Sequence, residues 1–116
     1  MMLDWSNYRR QLGDGVKEMG ILSPETLKGY LALSNAGQKA DLIGAKTREL
    51  IALAVAVTLR CDGCIVTHVA AAQKHGATRE EMAEALGVAM AINAGATLVY
   101  SARTLDAYSA LSARDA

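Results

Sequence analysis

The sequence predicts an all-α fold, and three observations carry that expectation. Apolar residues recur at three- and four-residue spacing, helix start and stop signals recur between them, and no pair of segments reads as strands that could join. Composition agrees: apolar residues make up 52% of the chain, with one Trp, four Tyr and no Phe. The core must therefore be built from Ala, Leu, Val, Ile and Met, and small side chains let helices approach closely. With 116 residues, positions 1–116 form a single domain, near the size at which oligomerisation helps. So much apolar surface in so short a chain points to burial between subunits, and thus to a homo-oligomer.

Six helices are predicted in chain order. The first carries Trp5, Tyr8, Leu12, Val16 and Met19 as an amphipathic stripe, with Asp4 as N-cap, Gly20 as a stop and a weak middle at Gly13 and Gly15. The second starts at Ser23-Pro24-Glu25, since serine caps, proline has no N–H to leave unpaired and glutamate suits the positive helix end. Its buried stripe is Leu27, Tyr30, Leu31 and Ser34, and it ends between Gly37 and Leu42. Thr47 caps the third, whose run from Leu50 to Leu59 is apolar on every side and so reads as the central buried helix. Val55 and Val57 would suit a parallel strand, but nothing else in the chain could pair with one.

A break at Arg60–Gly63 puts Cys61 near the first turn of a fourth helix, which runs through His68 to a basic last turn at Lys74-His75 and a terminal Gly76. Thr78-Arg-Glu-Glu81 is a capping box opening the fifth, lined by Met82, Leu86, Ala89 and Met90. Asn93-Ala-Gly95 interrupts the pattern, and a sixth helix carries Leu98, Ala102 and Leu105.

Charge excludes several functions. Twelve basic and twelve acidic residues cancel, and no basic run of five or more occurs, so neither a nucleic acid nor an anionic membrane is an expected partner. The N-terminus turns polar within four residues, without a signal-peptide apolar region, and the Leu50–Val57 run falls far short of the roughly 20 residues that span a bilayer. A soluble, cytoplasmic protein is expected. In that reducing compartment its two cysteines are not expected to be a structural staple.

Those cysteines, Cys61 and Cys64, carry the chemistry. Three-residue spacing at a helix start brings two sulfurs to disulfide distance, and the positive helix end favours the reactive thiolate. His68, four residues after Cys64, shares its helix face and can take its proton. Glu49 heads the apolar helix and can orient the imidazole if the two helices pack together. Glutamate is also favourable in a first helical turn for dipole reasons alone, and a half-buried histidine is common in helical cores. Zinc would need two histidines to converge with the cysteines, and His75 lies outside the usual spacing from His68. No metal or other cofactor is expected.

Glu49, then eleven residues, then Cys61-x-x-Cys64-x-x-x-His68 resembles the alkylhydroperoxidase D-like branch of the carboxymuconolactone decarboxylase superfamily. The likeness extends over roughly residues 45 to 112, through Glu49-Leu-Ile-Ala-Leu-Ala-Val-Ala, His75-Gly-Ala-Thr-Arg-Glu-Glu and Thr97-Leu-Val-Tyr100. The resemblance implies an all-α homotrimer or homohexamer that reduces a hydroperoxide through a cysteine sulfenic acid and a disulfide. An external dithiol, or a lipoylated or thioredoxin-like partner, would reset it. It implies that Cys64 is coupled to His68 and Glu49 in a proton relay, with Cys61 as its disulfide partner. Many members carry histidine or tyrosine immediately before the second cysteine; Gly63 stands there and implies a shorter relay. A thiol–disulfide oxidoreductase, a redox sensor and a decarboxylase-like enzyme are the alternative functions.

Overall fold

A computed structural model describes residues 1–115. Among them are five helices and no strand: α1 (Trp5–Leu22), α2 (Pro24–Ala40), α3 (Ala45–Leu59), α4 (Asp62–Lys74) and α5 (Arg79–Asp115). The all-α expectation holds, and the count of six is corrected to five. Asn93-Ala-Gly95 does not break the chain, because the Asn93 amide donates to the Ala89 carbonyl at 2.7 Å and to the Thr58 hydroxyl at 3.0 Å. The expected helix breaker is thus tied to its own preceding turn and to α3, and one 37-residue helix results.

Local signals explain most boundaries. The Asp4 side chain accepts from the Asn7 N–H at 3.2 Å and starts α1, which runs past Gly20 to Leu22 without a break at Gly13 or Gly15. Ser23 is the N-cap of α2 with Pro24 next, although its hydroxyl donates to Thr26 Oγ1 rather than accepting from the backbone. Thr47 is not the cap of α3. Gly44, at φ 82°, makes the turn that admits the helix at Ala45, a conformation only glycine adopts freely. Thr78 and Glu81 form the expected reciprocal cap, at 3.0 and 3.1 Å.

Three helices form the core. α3 packs against α4 on one side and α5 on the other, burying Leu53, Ala56, Val66, Ala72 and Ala89. α1 reaches this core through α4, and α2 folds back along α1. The expectation that α3 is buried all round is corrected: Ile51, Val55 and Leu59 lie open on its far side, with Leu59 70% exposed. Tyr30, Leu31, Met90, Leu98 and Leu105, expected on buried stripes, are also exposed. A helix apolar on every side needs neighbours on every side, and a single chain supplies them on only part of its surface. The Cα radius of gyration, 19.6 Å, is well above the roughly 13 Å of a compact chain this long.

Candidate active site

The turn between α3 and α4 builds the site. Arg60 adopts the left-handed conformation (φ 56°), the Cys61 N–H reaches back to the Ala56 carbonyl at 3.1 Å, and α3 is closed off. α4 then begins at once, with Cys61 itself as N-cap: its sulfur accepts the Cys64 N–H at 3.1 Å. A disulfide joins Cys61 to Cys64 across this first turn, with the Cα atoms 5.2 Å apart. Both cysteines are half-buried, so the sulfurs sit at the positive end of a helix and within reach of solvent.

About one turn beyond Cys64 along α4, His68 Nδ1 lies 2.6 Å from Glu49 Oε2 of α3. An ionised carboxylate only accepts hydrogen bonds, so Nδ1 carries the proton and Nε2 is left as the ring's acceptor or base. The pair is partly shielded, with side-chain exposures of 29% for His68 and 22% for Glu49. It spans the two helices that frame the site. All four expected site residues therefore lie on the α3–α4 unit, with Glu49 and His68 in direct contact.

Cys61, Cys64 and His68 open onto a shared cavity of about 630 Å³. Its other walls come from helices that the sequence pattern leaves outside the site. Leu12, Val16 and Met19 of α1, with Leu27, Tyr30 and Leu31 of α2, make it largely apolar. Thr67, beside His68, adds a hydroxyl group that residue spacing does not single out. The helical stripe of α1 is visible in the sequence, but nothing in that pattern says which helix it meets. Gly63 is the one signal: a Cβ there would lie 3.1 Å from Leu12 Cδ2, so α1 rests directly on the backbone between the cysteines. His75, the other histidine, is the C-cap at the opposite end of α4.

Fold and site together define an all-helical protein with a Cys-x-x-Cys pair at a helix N-terminus, backed by a carboxylate–imidazole pair. Residues 24–107 match the carboxymuconolactone decarboxylase family, and the chain belongs to that family. It is 46% identical to an uncharacterised protein of Haemophilus influenzae over 94% of this chain and 96% of the other. It is 32% identical to one of Cupriavidus necator, covering 93% and 92%. A crystal structure of an apo carboxymuconolactone decarboxylase family protein from Legionella pneumophila superposes with a TM-score of 0.72 at 35% identity. That superposition covers 88% of this chain and 91% of the other.

Proposed function

We propose that the protein is a thiol-dependent peroxidase of the alkylhydroperoxidase D-like type, with Cys61, Cys64, His68 and Glu49 as its working residues. The observation that carries this reading is the hydrogen-bonded Glu49–His68 pair beside a cysteine pair that closes a disulfide at a helix start. In the reduced protein His68 Nε2 takes the Cys64 proton while Glu49 holds Nδ1–H. The Cys64 thiolate attacks the terminal peroxide oxygen. The O–O bond breaks, the alcohol leaves with a proton, and Cys64 becomes a sulfenic acid. The Cys61 sulfur then attacks the Cys64 sulfur, the S–O bond breaks, and the proton given up by the Cys61 thiol leaves with the hydroxide as water, forming the disulfide.

An external dithiol, either small or carried on a lipoylated or thioredoxin-like partner, restores both thiols and is itself oxidised to a disulfide. Attack on the Cys64 sulfur expels Cys61 as a thiolate, and that anion gains the Cys64 N–H and the positive end of α4.

The same reading makes the protein a cytoplasmic homotrimer or homohexamer. Its accessible surface, 9248 Å², exceeds the roughly 6,100 Å² of a compact monomer of this mass. The excess is of the size an obligate subunit interface removes. The Arg79–Ala113 stretch of α5 is long and apolar enough to cross a bilayer, by length and composition. Asn93, Thr97, Ser101, Arg103 and Asp106 punctuate it, and its first half packs on α3. Subunit contact accounts for its exposed apolar residues better than lipid does.

The test is hydroperoxide consumption under excess dithiothreitol or dihydrolipoamide. Turnover by the unsubstituted protein that is lost in both Cys61→Ser and Cys64→Ser supports the peroxidase. Cysteines that cycle between dithiol and disulfide without consuming peroxide would replace it with a redox sensor or disulfide reductase.

A further inference from the structure

We infer that Leu12 of α1 is a specificity-determining residue: it sets the size of the molecule that reaches the Cys61–Cys64 sulfurs. Where that molecule is a hydroperoxide, the inference rests on the peroxidase reading above. Three observations meet at this side chain. Leu12 lines the same cavity as both cysteines and His68. Its two terminal methyl groups lie 3.1 and 3.5 Å from where a side chain at Gly63 would begin, so it fills the space beside the residue that separates the sulfurs. And Leu12 is half-buried, whereas Val16 and Met19, farther along the same face of α1, are 41% and 51% exposed.

Within one chain the α1 wall is therefore closed at the sulfur end and open toward the α1–α2 turn, over a distance of about 10 Å at the helical rise per residue. Close packing at Gly63 and Leu12 means that either residue can be enlarged only at the expense of the other. α1 also lies outside residues 24–107, the part that matches the family. The wall over the sulfurs is thus supplied by a helix outside the matched segment. Trimming Leu12 widens access beside the sulfurs without touching a sulfur, the imidazole or the carboxylate. The change favours bulky reagents over small ones. A residue that only held α1 in place would alter both alike.

The experiment uses two size ratios on the full-length protein. One is kcat/KM for cumene hydroperoxide over that for hydrogen peroxide, with dithiothreitol as reductant. The other is the alkylation rate of the reduced thiols by N-phenylmaleimide over that by iodoacetamide, which needs no turnover. Leu12→Ala is expected to raise both ratios about tenfold, the scale on which an apolar pocket discriminates by a few carbon atoms. Leu12→Phe is expected to lower them. Gly63→Ala is expected to slow the bulky reagent, and Leu12→Ala in the same chain to restore it.

Ratios within about twofold of the starting protein in both Leu12 variants, with helicity intact by circular dichroism, would overturn the inference, since pocket-size discrimination exceeds that. Should Leu12→Ala lose its fold, Leu12→Phe and Leu12→Met decide in its place. If no variant consumes peroxide, the alkylation ratio alone decides on Leu12 and the peroxidase reading falls separately. If peroxide is consumed and neither ratio moves, Leu12 loses its role and the peroxidase stands.

Discussion

Replacing Glu49 by glutamine removes one negative charge and keeps an amide oxygen that can still accept from His68. The size of the effect follows from the contact. A hydrogen bond to a charged partner contributes about 1.5–3 kcal/mol and a neutral one about 0.5–1.5 kcal/mol. The two groups are mostly shielded, 22% and 29% exposed, so solvent screening reduces the difference only in part. A loss of about 1–2 kcal/mol in holding the imidazole oriented corresponds to about 5- to 30-fold in rate. Glu49→Ala removes the acceptor altogether and should cost more, toward the hundredfold scale of a misplaced general base. The assay is the rate at which reduced protein forms its disulfide with one equivalent of hydroperoxide, followed by stopped-flow tryptophan fluorescence or by acid quench and thiol counting. Equal rates for the unsubstituted protein, Glu49→Gln and Glu49→Ala, alongside a large loss in His68→Ala, would refute the relay and leave the 2.6 Å contact as packing alone.

Four further outcomes follow from the same geometry. Cys61→Ala loses both the disulfide and the α4 cap and should cost about 1 kcal/mol more in urea unfolding than Cys61→Ser, whose hydroxyl can still accept the Cys64 N–H. Leu53→Ala, a change at one of the few buried side chains, should cost about 2–5 kcal/mol by the same measurement, less where neighbours collapse into the space. The Lys46 ammonium, 2.7 Å away, and the Thr78 N–H hold the Glu81 carboxyl below its ordinary value of 4.5. That stabilisation is present above pH 4.5 and is lost as pH falls through the depressed value, so Glu81→Gln should flatten this part of the acid-unfolding curve. Gly44→Ala, forced to φ 82°, should cost about 1 kcal/mol or more and show as a lowered Tm.

Legibility in the sequence followed the range of the interactions. Asp4, Pro24, Thr78 and Glu81 mark helix starts through contacts within four residues, and each stands where the pattern puts it. The Cys61–Cys64 turn is readable for the same reason, since helix geometry alone brings residues three apart together. Asn93 misleads because its amide is satisfied by Thr58, 35 residues away, and no local rule sees that partner. Thr47 misleads because Gly44, a weaker capping signal, already opens α3 one turn earlier.

The Glu49–His68 contact depends on how α3 and α4 rotate and cross, and an α3 apolar on every side does not declare which face meets α4. The exposed stripes of α2 and α5 read as buried because periodicity reports that a face is apolar, not that the chain itself covers it. Leu12 reads as core for the same reason. Its place over Gly63 is a tertiary fact.

Whether Cys61 and Cys64 form a peroxide-reducing pair is read most simply by intact-protein mass spectrometry. Fully reduced protein is mixed with one equivalent of hydroperoxide and quenched at successive times. Loss of two hydrogen atoms is expected in the unsubstituted protein, as the disulfide forms, and gain of one oxygen atom in Cys61→Ser, as Cys64 is stranded at the sulfenic acid. Disulfide formation no faster than with dissolved oxygen alone, and no oxygen gained by Cys64, would contradict it.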